Sequence, residues 1–126
     1  MFTEIHLRLG KARGLKNTDL LSKIDPYILV KVGQWKHKSK TMSGPEPNFD
    51  TSIHLDCAAD LAEGHDLIVE VWDKDMFTPD DFLGRVVVSQ DTLARAGGSL
   101  HEYFALREGK EVIGELELDF KGTRPT

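Results

Sequence analysis

The chain has 126 residues, 40% of them hydrophobic and 29% charged, which suffices for one domain with a proper core and not for two. Sixteen basic residues oppose 21 acidic ones, for a net charge of −5, and no basic nucleic-acid motif is present, so nucleic acid is not an expected partner. No run approaches ~20 apolar residues, and Met1-Phe2-Thr3-Glu4-Ile5 lacks the basic region and apolar core of a secretory leader, so any membrane contact is expected from a folded surface.

Residues 4–9 alternate, with Glu4, His6 and Arg8 on one face and Ile5, Leu7 and Leu9 on the other, as a half-buried strand requires. Gly10 to Leu15 carries two glycines and reads as a turn into an acidic loop. Tyr27 to Val32 predicts a second strand, with Ile28, Val30 and Val32 on one face, closed by the turn Gly33-Gln34. Trp35 to Thr41 predicts a third, in which Lys36, Lys38 and Lys40 share one side. Gly44-Pro45-Glu46-Pro47 is a loop that no helix or central strand would tolerate. Ser52 to Cys57 reads as a fourth strand with Ile53, Leu55 and Cys57 inward. A lone cysteine permits no internal disulfide and favours a reducing compartment.

Ala58 to Gly64 is a connector with room for one helical turn. Asp66 to Trp72 predicts a fifth strand burying Leu67, Val69 and Val71, and Phe82 to Val88 a sixth. Gln90 to Ala96 reads as a short helix, capped by Ser89 or Asp91 and ended by Gly97-Gly98. His101 to Leu106 predicts a seventh strand, Arg107 to Glu111 a polar turn, and Val112 to Phe120 an eighth. The domain is expected over residues 1–121, with 122–126 as a frayed tail. Eight short strands with polar turns and one short helix predict an all-β antiparallel sandwich.

Between the fifth and sixth strands, Asp73, Asp75, Asp80 and Asp81 place four carboxylates within nine residues. Asp73 and Asp75 sit two apart at a strand end and so point to the same side. Without a positive partner these charges repel one another. A hard divalent cation with oxygen ligands answers that, and calcium suits a flexible loop better than magnesium. A second acidic segment fits the first: Asp19 and Asp25 flank Leu20-Leu21-Ser22-Lys23-Ile24, and Asp25 precedes Pro26, which biases it towards extended backbone. Set aside Asp19, Asp25, Asp73, Asp75 and Asp81, and sixteen acidic residues face sixteen basic ones. An EF-hand is excluded, because the stretch from Asp73 lacks the glycine at the sixth loop position and has Gly84 rather than glutamate at the twelfth. His6, His37, His54, His65 and His101 show no zinc spacing and are expected on the surface or in loops. No nucleophile elbow, phosphate loop or acid/base pair is present, so an enzyme is not expected.

Gly14-Leu15, Asp19, Asp25-Pro26-Tyr27, Lys40-Thr41, Pro47-Asn48-Phe49-Asp50, Val71-Trp72-Asp73-Lys74-Asp75 and Asp81-Phe82-Leu83-Gly84 follow one another in an order and spacing that resembles the C2 domain. That module of protein kinase C and the synaptotagmins binds phospholipid in a calcium-dependent way. No strand precedes the one ending at Gly10 and a full strand follows the seventh, which matches the circular permutation called type II. The resemblance implies that Asp19, Asp25, Asp73, Asp75 and Asp81 hold two calcium ions, and it admits a third. It adds backbone carbonyls near Leu20 and Lys74 and a supporting hydroxyl at Thr78. Asp80 is expected to face solvent.

By the same resemblance Leu20, Leu21, Met76 and Phe77 dip into lipid once calcium is bound. Lys36, Lys38 and Lys40, with Lys31, Tyr27 and Trp72, resemble the basic strand cluster that binds phosphoinositides in some members, although Leu29 stands where lysine is frequent. The plainer reading of that cluster is a solvated strand face whose lysines blunt an edge. The expected function is calcium-dependent binding of an anionic phospholipid surface, by a cytoplasmic protein that sits peripherally on the cytosolic face of membranes. The alternative is a calcium-independent protein–protein interaction domain.

Overall fold

Apolar residues at every second position push this chain into strands that each offer one face to a common core. The computed structural model describes residues 2, 4–15, 24–56 and 58–123. Its elements are β1 (Glu4–Arg13), β2 (Pro26–Val32), β3 (Trp35–Lys38), β4 (Asn48–Leu55), α1 (Ala58–Ala62), β5 (Leu67–Asp73), β6 (Asp81–Val88), α2 (Gln90–Arg95), β7 (Ser99–Glu108) and β8 (Glu111–Thr123).

The eight strands form one antiparallel sheet in the order β3-β2-β5-β6-β7-β8-β1-β4. Between β6 and β7 the pairing among the described residues is reduced to Arg85 opposite Arg107. The sheet curls over there, so β3-β2-β5-β6 and β7-β8-β1-β4 face each other as the layers of a sandwich. Ile28, Val30, Val69 and Val71 of one layer and Leu7, Leu9, Leu116, Leu118 and Phe120 of the other belong to one buried cluster. Each such side chain contributes about 1.5–3 kcal/mol by leaving water. The expected sandwich and its permutation are both present. β1 leads straight into the segment that carries Asp19 and Asp25, and the last strand, β8, lies beside β1. Among the described residues no helix is long and apolar enough to cross a membrane.

Several boundaries differ from the sequence expectation, each for a local reason. β1 does not turn at Gly10 but continues to Arg13, with its register shifting between Leu9 and Lys11 against β4 and between Leu9 and Ala12 against β8. Gly10 is a bulge; the Glu117 carboxylate packs where a Cβ would stand. Opposite it, Asp50 takes a positive φ of 42°, a conformation aspartate tolerates better than most residues. This lets β4 begin at Asn48 rather than Ser52. β3 stops at Lys38 rather than Thr41, because Ser39 caps it: Ser39 Oγ accepts from Ile28 N–H at 2.8 Å and Ser39 N–H donates to Ile28 C=O at 2.8 Å.

β7 continues through Arg107 to a tight Gly109-Lys110 turn, in which Gly109 supplies a φ of 60°. β8 runs to Thr123, since Lys121, Gly122 and Thr123 pair with His6, Ile5 and Glu4 of β1. Residues 122 and 123 are therefore strand rather than tail. Ser89 is the cap of α2, accepting from Thr92 N–H at 3.0 Å, while Asp91 pairs with Arg95 one turn on. Cys57 lies outside the described residues.

Candidate metal and membrane site

Three strand ends build the acidic tip. Pro26, which opens β2, stands opposite Asp73, which closes β5, and Asp73 in turn stands opposite Asp81, which opens β6. Asp25, Asp73 and Asp81 are thereby brought to one end of one layer. The Asp25 N–H donates to Asp73 Oδ1 at 2.9 Å, and the Lys74 N–H donates back to the Asp25 carbonyl at 3.0 Å. Ser43 Oγ donates to Asp25 Oδ1 at 3.4 Å. Asp75, Lys74 and Thr78 are exposed on the β5–β6 loop. At its tip Met76 and Phe77 are 85% and 93% exposed. Asp19, Leu20 and Leu21 lie outside the described residues.

The electrostatics of this tip are those of crowded like charges. The Asp73 carboxyl is pushed above its ordinary value, first by burial and then by Asp25, Asp75 and Asp81, against the hydrogen bond it accepts from Asp25 N–H. The four aspartates do not close into one tight set. Among the described residues, the groups of three whose donor atoms all lie within 4.8 Å of one another are Glu4, His6 and His54, and Asp60, Glu63 and His65. Asp25, Asp75 and Asp81 nonetheless lie near enough to Asp73 for their charges to act on it. An all-oxygen donor set at strand ends and on the loop beside them suits a hard cation of the calcium type and not a thiophilic one.

Asp80 does not simply face solvent. Its Oδ2 accepts from Tyr27 Oη at 2.6 Å and its Oδ1 accepts from Asp75 N–H at 2.9 Å. These two bonds hold the Asp80 carboxyl below its usual range, the Asp75 amide first and the Tyr27 hydroxyl second. Burial and Asp80 together raise the Tyr27 hydroxyl to about 12. Asp80 thus fastens the loop that carries Asp75 to β2. In sequence the only hint is a second aspartate beside Asp81, because its partner Tyr27 lies 53 positions away.

The lysine cluster is only partly free. Lys31 stands opposite Lys36 across the β2–β3 ladder, and Lys38 stands opposite Leu29. Lys31 Nζ reaches Glu70 Oε1 at 2.8 Å, and Glu70 has a side-chain exposure of only 5%. Arg85 lies 3.7 Å from the other oxygen of Glu70, and Trp72 Nε1 donates to Glu70 Oε1 at 3.3 Å. Lys38 Nζ sits over the Tyr27 ring at 4.4 Å, Trp72 meets Phe82 edge to face, and Lys40 is exposed beyond the end of β3. Glu70 escaped the sequence reading. Its signal was a carboxylate between Ile68 and Trp72 on an otherwise apolar strand.

The C2 domain family model matches residues 3–106. The 16 kDa phloem protein 1 of Arabidopsis thaliana is 37% identical over 127 residues, covering 94% of this chain and 77% of its own length. Elicitor-responsive protein 3 of Oryza sativa subsp. japonica is 28% identical over 116 residues, covering 90% of this chain and 78% of its own. The solved pair of C2 domains from extended synaptotagmin 2 superposes with a TM-score of 0.80 at 22% identity, over 97% of this chain and 42% of that larger one. That likeness shows the fold. With the acidic tip and curled sheet in place, the family match makes this chain a C2 domain, a member of a family of membrane, lipid or protein interaction modules that are typically non-catalytic.

Proposed function

We propose that the protein is a calcium-dependent phospholipid-binding module whose ligands are Asp19, Asp25, Asp73, Asp75 and Asp81, with two calcium ions and room for a third. One observation carries this reading: Asp73, pushed up by burial first and then by three neighbouring aspartates, lies right beside a loop tip on which Met76 and Phe77 stand in water. Bound calcium would supply the positive charge that this tip lacks. The aspartates hold it, the carbonyl of Lys74 and the hydroxyl of Thr78 lie on the same loop, and Asp80 keeps the loop against Tyr27. Uncompensated, the carboxylates are repelled by an anionic leaflet. Once they are neutralised, Met76 and Phe77 can enter lipid, each gaining part of the roughly 1.5–3 kcal/mol of full burial. Leu20 and Leu21 serve the same purpose from the first loop. The protein then works as a peripheral binder.

Lys36, Lys38 and Lys40, flanked by Tyr27 and Trp72, form a second contact for phosphoinositide headgroups. Lys31 contributes less, since Glu70 already engages it. Sedimentation with phosphatidylserine vesicles tests the main reading. Pelleting in calcium, its loss in chelator, and its loss in Asp73→Asn/Asp75→Asn are expected. Equal pelleting in chelator would defeat it and favour the calcium-independent interaction domain. Phosphoinositide-doped vesicles tested against Lys36→Ala/Lys38→Ala decide the lysine patch.

A further inference from the structure

We propose that Glu4, His6 and His54 form a second metal site, selective for Zn2+, at the far end of β1 from the aspartate loops. His6 and His54 are direct cross-strand partners in the β1–β4 ladder. Their rings meet edge to face with centroids 4.4 Å apart. Glu4 lies two positions before His6, on the same face of β1, and its Oε1 is 4.0 Å from His54 Nε2. All three donor atoms lie within 4.8 Å of one another, and all three residues are exposed. A tetrahedral zinc ion, with ligand bonds of about 2.0–2.2 Å, would need its donors roughly 3.3 Å apart. Rotation of exposed side chains closes that gap without moving the strands. Beside His6 opens a cavity of about 300 Å³, also lined by Leu7, Arg8, Ser52, Asp119 and Lys121, and the exposure of all three ligands leaves a fourth coordination position to water.

Two imidazoles and one carboxylate select zinc over calcium, which prefers six to eight oxygens. The nearby cations do not forbid it. Arg8 is engaged by Asp50 at 2.7 Å, and Lys121, opposite His6 on β8, shares the cavity wall with the acidic Asp119. The ten residues of β1 span roughly 30 Å, so the two sites are independent. β4 is the terminal strand of the sheet, and an ion bridging His54 to His6 fastens that edge.

The test is calorimetric titration of the full chain with ZnCl2 in excess calcium, with the imidazole resonances followed by NMR. One zinc equivalent is expected, with a rise in melting temperature and shifts confined to His6 and His54. His6→Ala or His54→Ala should weaken binding by more than the roughly 10–100-fold that losing a partner of a ligating histidine costs. Asp73→Asn/Asp75→Asn should bind zinc normally whether or not the loops prove to bind calcium. The variants sit on an exposed face, and circular dichroism confirms that they fold. Absence of zinc uptake would overturn the proposal, as would uptake unchanged in His6→Ala/His54→Ala. Loss in Asp73→Asn/Asp75→Asn would place the ion in the aspartate loops, and loss in His65→Ala would place it at Asp60 and Glu63; either result also overturns it.

Discussion

Carboxylates on the outer face of the β7-β8-β1-β4 layer and those at the loop tip live under opposite rules. On the outer face Asp50 meets Arg8 at 2.7 Å, Glu115 meets Arg13 at 3.0 Å and Glu117 meets His101 at 2.9 Å. Glu117 is held below its ordinary value, by His101 first and then by the Lys11 amide. At the tip Asp73 sits above its ordinary value, through burial first and then through its neighbours Asp25, Asp75 and Asp81. The same residue class stabilises one region and strains the other. On the proposed reading, a bound cation supplies the charge that this crowded strand end lacks.

The largest effect belongs to the tip itself. Asp73→Asn/Asp75→Asn should weaken calcium binding roughly 100-fold, since affinity follows ligand charge count. Without calcium the same variant should melt higher than the parent, whereas Glu117→Gln should melt lower. Scanning fluorimetry in chelator reads both, and a common sign would erase the contrast. Next is the buried acid of the other layer. Among the described residues, Lys31→Met leaves Glu70 with Arg85 as its one cationic partner, at 3.7 Å, and should cost about 2 kcal/mol in urea unfolding. A cost near zero would mean that Glu70 is no exception to crowding without a partner.

Met76→Ala/Phe77→Ala should lower vesicle affinity about tenfold, as partial burial of two apolar side chains predicts. Calcium affinity and melting temperature should stay as in the parent; if calcium affinity falls too, the tip and the ligands are not separable. Tyr27→Phe removes the hydroxyl that holds Asp80 and should cost about 1 kcal/mol, read by urea midpoint. The smallest effect is one of pH. Because the folded value of Glu117 lies below the ordinary 4.5, its contribution is present above that value and is lost as pH falls through the lower, folded one. His101→Gln should narrow that window and move the onset of acid unfolding to higher pH, as circular dichroism would record.

The alternation of Ile5, Leu7 and Leu9, or of Leu67, Val69 and Val71, made the strands legible, because a half-buried strand has no other way to be written. The carboxylates of Asp73, Asp75 and Asp81 were legible for a similar reason: charge repeated at close spacing is visible in one dimension. The misreadings share one cause. Gly10 looked like a turn because the Glu117 carboxylate that occupies its missing side chain lies 107 positions downstream. Ser39 looked like strand because its capping role needs Ile28. Asp80 looked idle because Tyr27 was far away, and Lys31 looked free because Glu70 was. His6 and His54 carry no motif; only the β1–β4 register makes them neighbours.

The position of β1 between β4 and β8 bears on how the chain is made. During synthesis β1 leaves the ribosome before the other strands, yet one of its two flanks stays open until residues 111–123 have cleared the exit tunnel. Closing that layer is therefore a late event, dominated by contacts between the earliest and latest strands and slow for that reason. A truncation at residue 106, where the family match stops, would remove β8 and leave β1 a nascent edge open to strands from other chains.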